Sequence, residues 1–131
     1  MSRKNRKNQQ VLKEMKQIFY GDNDKYLDWM GYEITSDNFP TYHHVCRRTS
    51  REDDNTTIDN GAYLGEQSHN ALHYIERLDK SLYNAWNEIF TVINQSRKYP
   101  TLAMWDEVKI LQDRSMELLN SKEKNKVKRK I

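Results

Sequence analysis

The chain has 131 residues, 36% of them hydrophobic and 31% charged, which is enough apolar material for one folded domain and too much for a wholly disordered chain. A single cysteine, Cys46, excludes an intramolecular disulfide and any zinc site built on several thiolates, and it fits a reducing cytoplasm. No apolar run reaches the length of a membrane span, and no hydrophobic segment follows the basic start, so neither a membrane anchor nor a signal peptide is expected.

Residues 1–8 read as a disordered basic tail carrying Arg3, Lys4, Arg6 and Lys7. From residue 9 to 19, Leu12, Met15 and Phe19 recur at helical intervals, and Gly21-Asp22-Asn23-Asp24 should stop that helix. Residues 25–35 are rich in aromatics, with Tyr32 and Ile34 alternating as in a short strand, before a break at Asn38-Phe39-Pro40. Residues 41–47 read as a strand in which Cys46 would be a small buried hydrophobe. A polar loop over 48–59 leads to a second short strand at 61–64, which together suggest an antiparallel hairpin with a long connection. Residues 67–79 are predicted helical, with an apolar stripe of Ala71, Ile75, Leu78 and Leu82. The pattern continues over 80–96 through Leu82, Trp86, Ile89 and Ile93, with a bend near Asp79-Lys80. Tyr99-Pro100 breaks the chain, and Thr101 is placed to cap a last helix to about Asn120, striped by Met104, Val108, Leu111 and Leu118. Residues 121–131 read as a second disordered basic tail.

The expectation is an α+β, mainly helical chain with a single domain over 9–120. Its ββα core would cover about 41–79, with a helix before it and C-terminal helices over about 80–120. The net charge of +3 is uneven: six basic residues from Lys122 to Lys130 oppose only Glu123, and with the basic start this leaves the stretch between net acidic. Basic ends suit nucleic-acid phosphates, whereas an acidic body does not.

All four histidines fall between residues 43 and 73. His43 and His44 are neighbours on the first strand, so their side chains project to opposite faces. Asn60 opens the second strand. His69 and His73 are four apart on the following helix and share a face, which allows both to grip one ion. By the predicted stripe, that face lies opposite the apolar one.

This pattern resembles the HNH, or ββα-metal, endonucleases, and is particularly similar to the nuclease domains of colicin-type bacteriocins, which use three histidines for the metal. The run Thr57-Ile58-Asp59-Asn60-Gly61-Ala62-Tyr63-Leu64 is similar to one found in phage and bacterial HNH proteins. The resemblance covers roughly residues 41–76. It implies that His43, His69 and His73 hold one divalent cation (Mg²⁺, Mn²⁺, Ni²⁺ or Zn²⁺), that His44 is the catalytic base, and that Asn60 holds the loop and orients His44 through a hydrogen bond. Arg47 and Arg48 become candidate phosphate contacts. The paired cysteines that bind a structural zinc in many of these proteins are absent, with Gly65 and Ser68 where the second pair would stand.

The resemblance implies a DNA endonuclease encoded by a phage or mobile element and acting in the cytoplasm of a bacterial host cell. A different function on the same fold is also open. Some phage anti-CRISPR proteins of HNH-like fold inhibit a Cas9-type nuclease by protein–protein binding, and the acidic body, with Glu52, Asp53 and Asp54 in the loop, suits a basic nucleic-acid channel.

Overall fold

The first helix, α1, spans Arg3–Tyr20 in a computed structural model that describes residues 3–46 and 56–130, with side chains for 7–46 and 56–121. Val11, Met15 and Phe19 are buried along one face, since a spacing of four returns to the same side of a helix. Leu12 packs at the edge of that face. The helix starts before residue 9 because the Arg, Lys and Gln residues ahead of Val11 favour helix and no Gly or Pro interrupts them. It ends at Gly21, whose φ of +61° is left-handed and whose N–H donates to the carbonyls of Lys16 and Gln17. Glycine adopts that conformation without a Cβ penalty.

Residues 25–35 form no regular strand, contrary to the alternation of Tyr32 and Ile34. Leu27 pairs with Glu33, and Thr35 with Asn38, as isolated bridges. Between Leu27 and Glu33 the backbone wraps around the buried Asp28 carboxylate. Oδ1 of Asp28 accepts the N–H groups of Met30 and Tyr32, each at 3.0 Å, and Oδ2 accepts that of Gly65 at 2.8 Å. A carboxylate that collects local donors competes with a ladder and turns the chain. Burial raises the Asp28 pKa above the ordinary 3.8, while the bonds from Gly65, Tyr32 and Met30 pull it back.

Strands β1, Pro40–His44, and β2, Gly61–Gly65, pair antiparallel, with His43 opposite Ala62 and His44 opposite Gly61. Pro40 is the first residue of its strand, a position where proline is tolerated. Because β1 ends at His44 rather than at residue 47, Cys46 lies beyond the ladder and is exposed, not buried.

Helix α2, Glu66–Leu78, follows β2 directly. Gly65 occupies its N-cap position and has no side chain to cap with. Asn38 supplies the cap from a distance, its Oδ1 accepting the Gln67 N–H at 2.9 Å. A Cβ on Gly65 would come within 2.2 Å of that same Oδ1, so glycine is what lets Asn38 approach.

The bend expected near Asp79 is a break between two helices. Asp79 is extended (φ −152°, ψ 93°), and its side chain caps α3, Lys80–Ser96, by accepting the Leu82 N–H at 3.1 Å. Leu82, Trp86, Ile89, Phe90 and Ile93 bury one face of α3 against Met15, Trp29 and Leu72 in a shared core. Helix α4, Leu102–Lys130, begins beside the Thr101 hydroxyl, which accepts the Met104 N–H at 3.4 Å. It buries Val108 and Leu111 and continues past Asn120, where Lys and Glu favour helix.

The architecture among the described residues is thus α+β and mostly helical, four helices with one small antiparallel sheet. None of these helices is long and apolar enough to cross a membrane.

Candidate metal centre

The two-residue alternation of β1 sorts its side chains. Thr41 and His43 face α2, whereas Tyr42 and His44 face the other way, with their rings edge to face at 4.7 Å. His43 is only 1% exposed. Its cross-strand partner, Ala62, is small, and its ring packs edge-on against Tyr83 and Phe90 of α3.

Helix α2 delivers the other two imidazoles, with ring centroids of His69 and His73 4.6 Å apart. The buried stripe of α2 is shifted from the expected one. The buried residues of α2 are Ser68, Leu72 and Ile75, with Ala71 and Leu78 only half-buried. With His69 as origin and about 100° per residue, Leu72 falls at about 300°, His73 at about 40° and Ile75 at about 240°. The middle of the buried face is thus about 90° from His69 and about 130° from His73, so both stand off that face as expected, His69 the nearer because the apolar stripe runs through Leu72. Both rings reach His43, with centroid separations of 5.3 and 6.0 Å.

His43, His69 and His73 each offer a nitrogen, and these nitrogens all lie within 4.8 Å of one another. Zinc-type ions bind imidazole nitrogen at about 2.0–2.1 Å, which sets tetrahedral ligands about 3.4 Å apart. Side-chain movement of about an ångström would close the set to that spacing. Three neutral imidazoles are a donor set that suits Zn²⁺, Ni²⁺ or Co²⁺ better than Mg²⁺. The residues present therefore fit one divalent cation.

Polar partners surround the three rings, by hydrogen bonds at His43 and His69 and by a longer carboxylate contact at His73. The Thr41 hydroxyl donates to the Leu64 carbonyl at 2.8 Å and lies 3.0 Å from Nδ1 of His69. Its only proton is committed to Leu64, so it accepts from His69, and Nδ1 of that ring carries hydrogen. Nε2 of His69 is then the nitrogen with a lone pair for a metal. Nδ1 of His73 is 3.6 Å from the Glu76 carboxylate, whose other oxygen is 3.9 Å from Nζ of Lys80. Nε2 of His43 is 2.8 Å from Oδ1 of Asn87 on α3.

His44 is half-buried, and its Nε2 lies 2.9 Å from the hydroxyl of Thr56. Tyr42 pins the same segment twice: its phenol donates to the Thr57 carbonyl at 2.6 Å and accepts the Thr57 N–H at 3.0 Å. Burial pushes the Tyr42 pKa up to about 12, so the phenol keeps its proton at neutral pH. Gly61 leaves room for this ring, which a Cβ there would meet at 2.6 Å. The Asn60 carboxamide clamps the main chain of Cys46, accepting its N–H at 2.9 Å and donating to its carbonyl at 3.1 Å. Asn60 thus holds the chain two residues beyond His44, and this hold reaches His44 through the backbone. Arg47, Arg48, Glu52, Asp53 and Asp54 lie outside the described residues.

Thr41, Glu76 and Asn87 were not singled out from the sequence. Thr41 is two residues before His43 on one strand face, and Glu76 three after His73 on one helix, so periodicity alone marks both. Asn87 carries no such signal, since its approach depends on how α3 packs. A separate cavity of about 550 Å³ lies against Met30, Ser68, Ala71, Ile75 and Met116 and includes none of the histidines. No protein-family model, curated protein or solved structure matches this chain.

Proposed function

We propose that this protein is a metal-dependent DNA endonuclease of the HNH type, with β1, β2 and α2 as its ββα-metal unit. The observation that carries the reading is the convergence of His43, His69 and His73 from a strand and a helix to within ligating reach. Those three side chains would hold one divalent cation. The chemistry such an ion supplies is neutralisation of charge on the scissile phosphate and stabilisation of the leaving oxygen.

The remaining roles belong to the chain's own residues. His44, as a neutral imidazole, takes a proton from the water that adds to phosphorus while the phosphorus–oxygen bond of the substrate breaks. Thr56 and the Tyr42–Thr57 pair fix the position of the His44 ring, and Asn60 fixes the backbone that follows it. Arg47, Arg48 and the basic ends of the chain contact phosphates. The setting is the cytoplasm of a bacterial host carrying a phage or mobile element.

The test is incubation of plasmid DNA with the purified protein and Mg²⁺, Mn²⁺, Ni²⁺ or Zn²⁺, beside His44→Ala. Metal-dependent nicking that disappears in the variant supports the reading.

A second reading is favoured by one observation, the net acidic charge between the basic ends, including Glu52, Asp53 and Asp54. It makes the chain an anti-CRISPR inhibitor that occupies the nucleic-acid channel of a Cas9-type nuclease. Absence of nicking with every metal, together with a stable complex with such a nuclease, would decide for it.

A further inference from the structure

Helix α3 presents Lys80, Tyr83 and Asn87 toward the histidines. Nζ of Lys80 lies 5.9 Å from the centre of the Tyr83 ring, that ring lies 6.2 Å from His43, and Oδ1 of Asn87 lies 2.8 Å from His43 Nε2. A carboxamide oxygen only accepts, so the imidazole nitrogen facing it carries the proton. The main chain of Asn87 lies within α3, its carbonyl accepting the Thr91 hydroxyl at 2.9 Å.

The geometry points to Asn87 as a positioning residue of the metal centre: by taking the Nε2 proton of His43 it reserves Nδ1 of that ring for a divalent cation, while His69 offers Nε2. The centre then mixes two modes of imidazole ligation, set by Asn87 on one side and by Thr41 on the other. Partners of this kind fix the tautomer and plane of a ligating histidine, and their loss typically weakens metal binding about 10–100-fold. Helix α3, which supplies none of the three histidines, becomes part of the site. This inference rests on the metal-centre reading and is independent of whether DNA is cut.

The experiment combines long-range ¹H–¹⁵N spectra of ¹⁵N-histidine-labelled protein, with and without Zn²⁺, and Zn²⁺ affinities from competition with a chromophoric chelator. The expected spectrum of the free protein has His43 protonated on Nε2, and Zn²⁺ moves the Nδ1 resonance of that ring and the Nε2 resonance of His69. Asn87→Ala should weaken Zn²⁺ binding about 10–100-fold, and Asn87→Asp, which keeps an acceptor, should restore it. Ligation of His43 through Nε2, or an Asn87→Ala affinity within about twofold of the wild type, overturns the inference and leaves the metal centre standing. No Zn²⁺ binding by the wild type overturns both. The wild-type spectra decide the question even if a variant folds poorly.

Discussion

Thr41 on β1 and His69 on α2, 28 residues apart in sequence, are joined by a hydrogen bond of 3.0 Å. Since Thr41 donates to Leu64, the hydroxyl orients the His69 ring and sets its tautomer. Thr41→Val keeps the shape and removes the acceptor. It is expected to weaken Zn²⁺ binding about tenfold or more, whereas Thr41→Ser should bind nearly as the wild type does. Calorimetric titration of the three proteins measures this, and equal affinities would contradict the role assigned to Thr41.

A second expectation concerns the junction of β2 and α2. A Cβ at Gly65 would collide with the Asn38 carboxamide that caps α2. Gly65→Ala should therefore lower stability by about 1–3 kcal/mol, and Asn38→Ala by about 1 kcal/mol through the lost cap. The double variant should lose less than the two single losses combined, because removing Asn38 removes the collision. Urea unfolding of the four proteins gives the comparison.

Asp28 yields a dependence on pH. Burial raises its folded pKa, so between the ordinary 3.8 and that raised value the folded state binds more protons than the unfolded state. Its contribution to stability is then full below 3.8 and falls as pH rises through the raised value. Asp28→Asn replaces one acceptor by an N–H₂ group facing main-chain donors, and should cost about 1–3 kcal/mol. Other carboxyl groups titrate alike in both proteins, so the lead of the wild type should shrink with rising pH and then level off. Unfolding midpoints of both proteins across the acid range test the sign.

Local patterns carried much of this architecture. The four-residue spacing of His69 and His73 and the opposed faces of His43 and His44 follow from helix and strand periods, and the Leu82–Trp86–Ile89–Ile93 stripe marks the buried face of α3. The rest depends on approach in three dimensions. Asn38 caps a helix 29 residues away, Asp28 spends its acceptors on Gly65 as well as on its own turn, and Asn87 meets His43 across 44 positions. The histidines of α2 stand off the buried face as their spacing from the stripe suggests, but the stripe itself runs through Leu72 rather than Ala71 and Leu78, because only packing against α3 decides which of these neighbours is covered. Cys46 was misplaced because nothing local announces that β1 stops at His44.

The most direct test of the three-imidazole centre is the stoichiometry of Zn²⁺ binding by calorimetry, with His69→Ala and His73→Ala beside the wild type. One ion per wild-type chain, with affinity reduced at least about tenfold in each variant, is the predicted result. Absence of binding by the folded wild type, or variants that bind as tightly as it does, would contradict it.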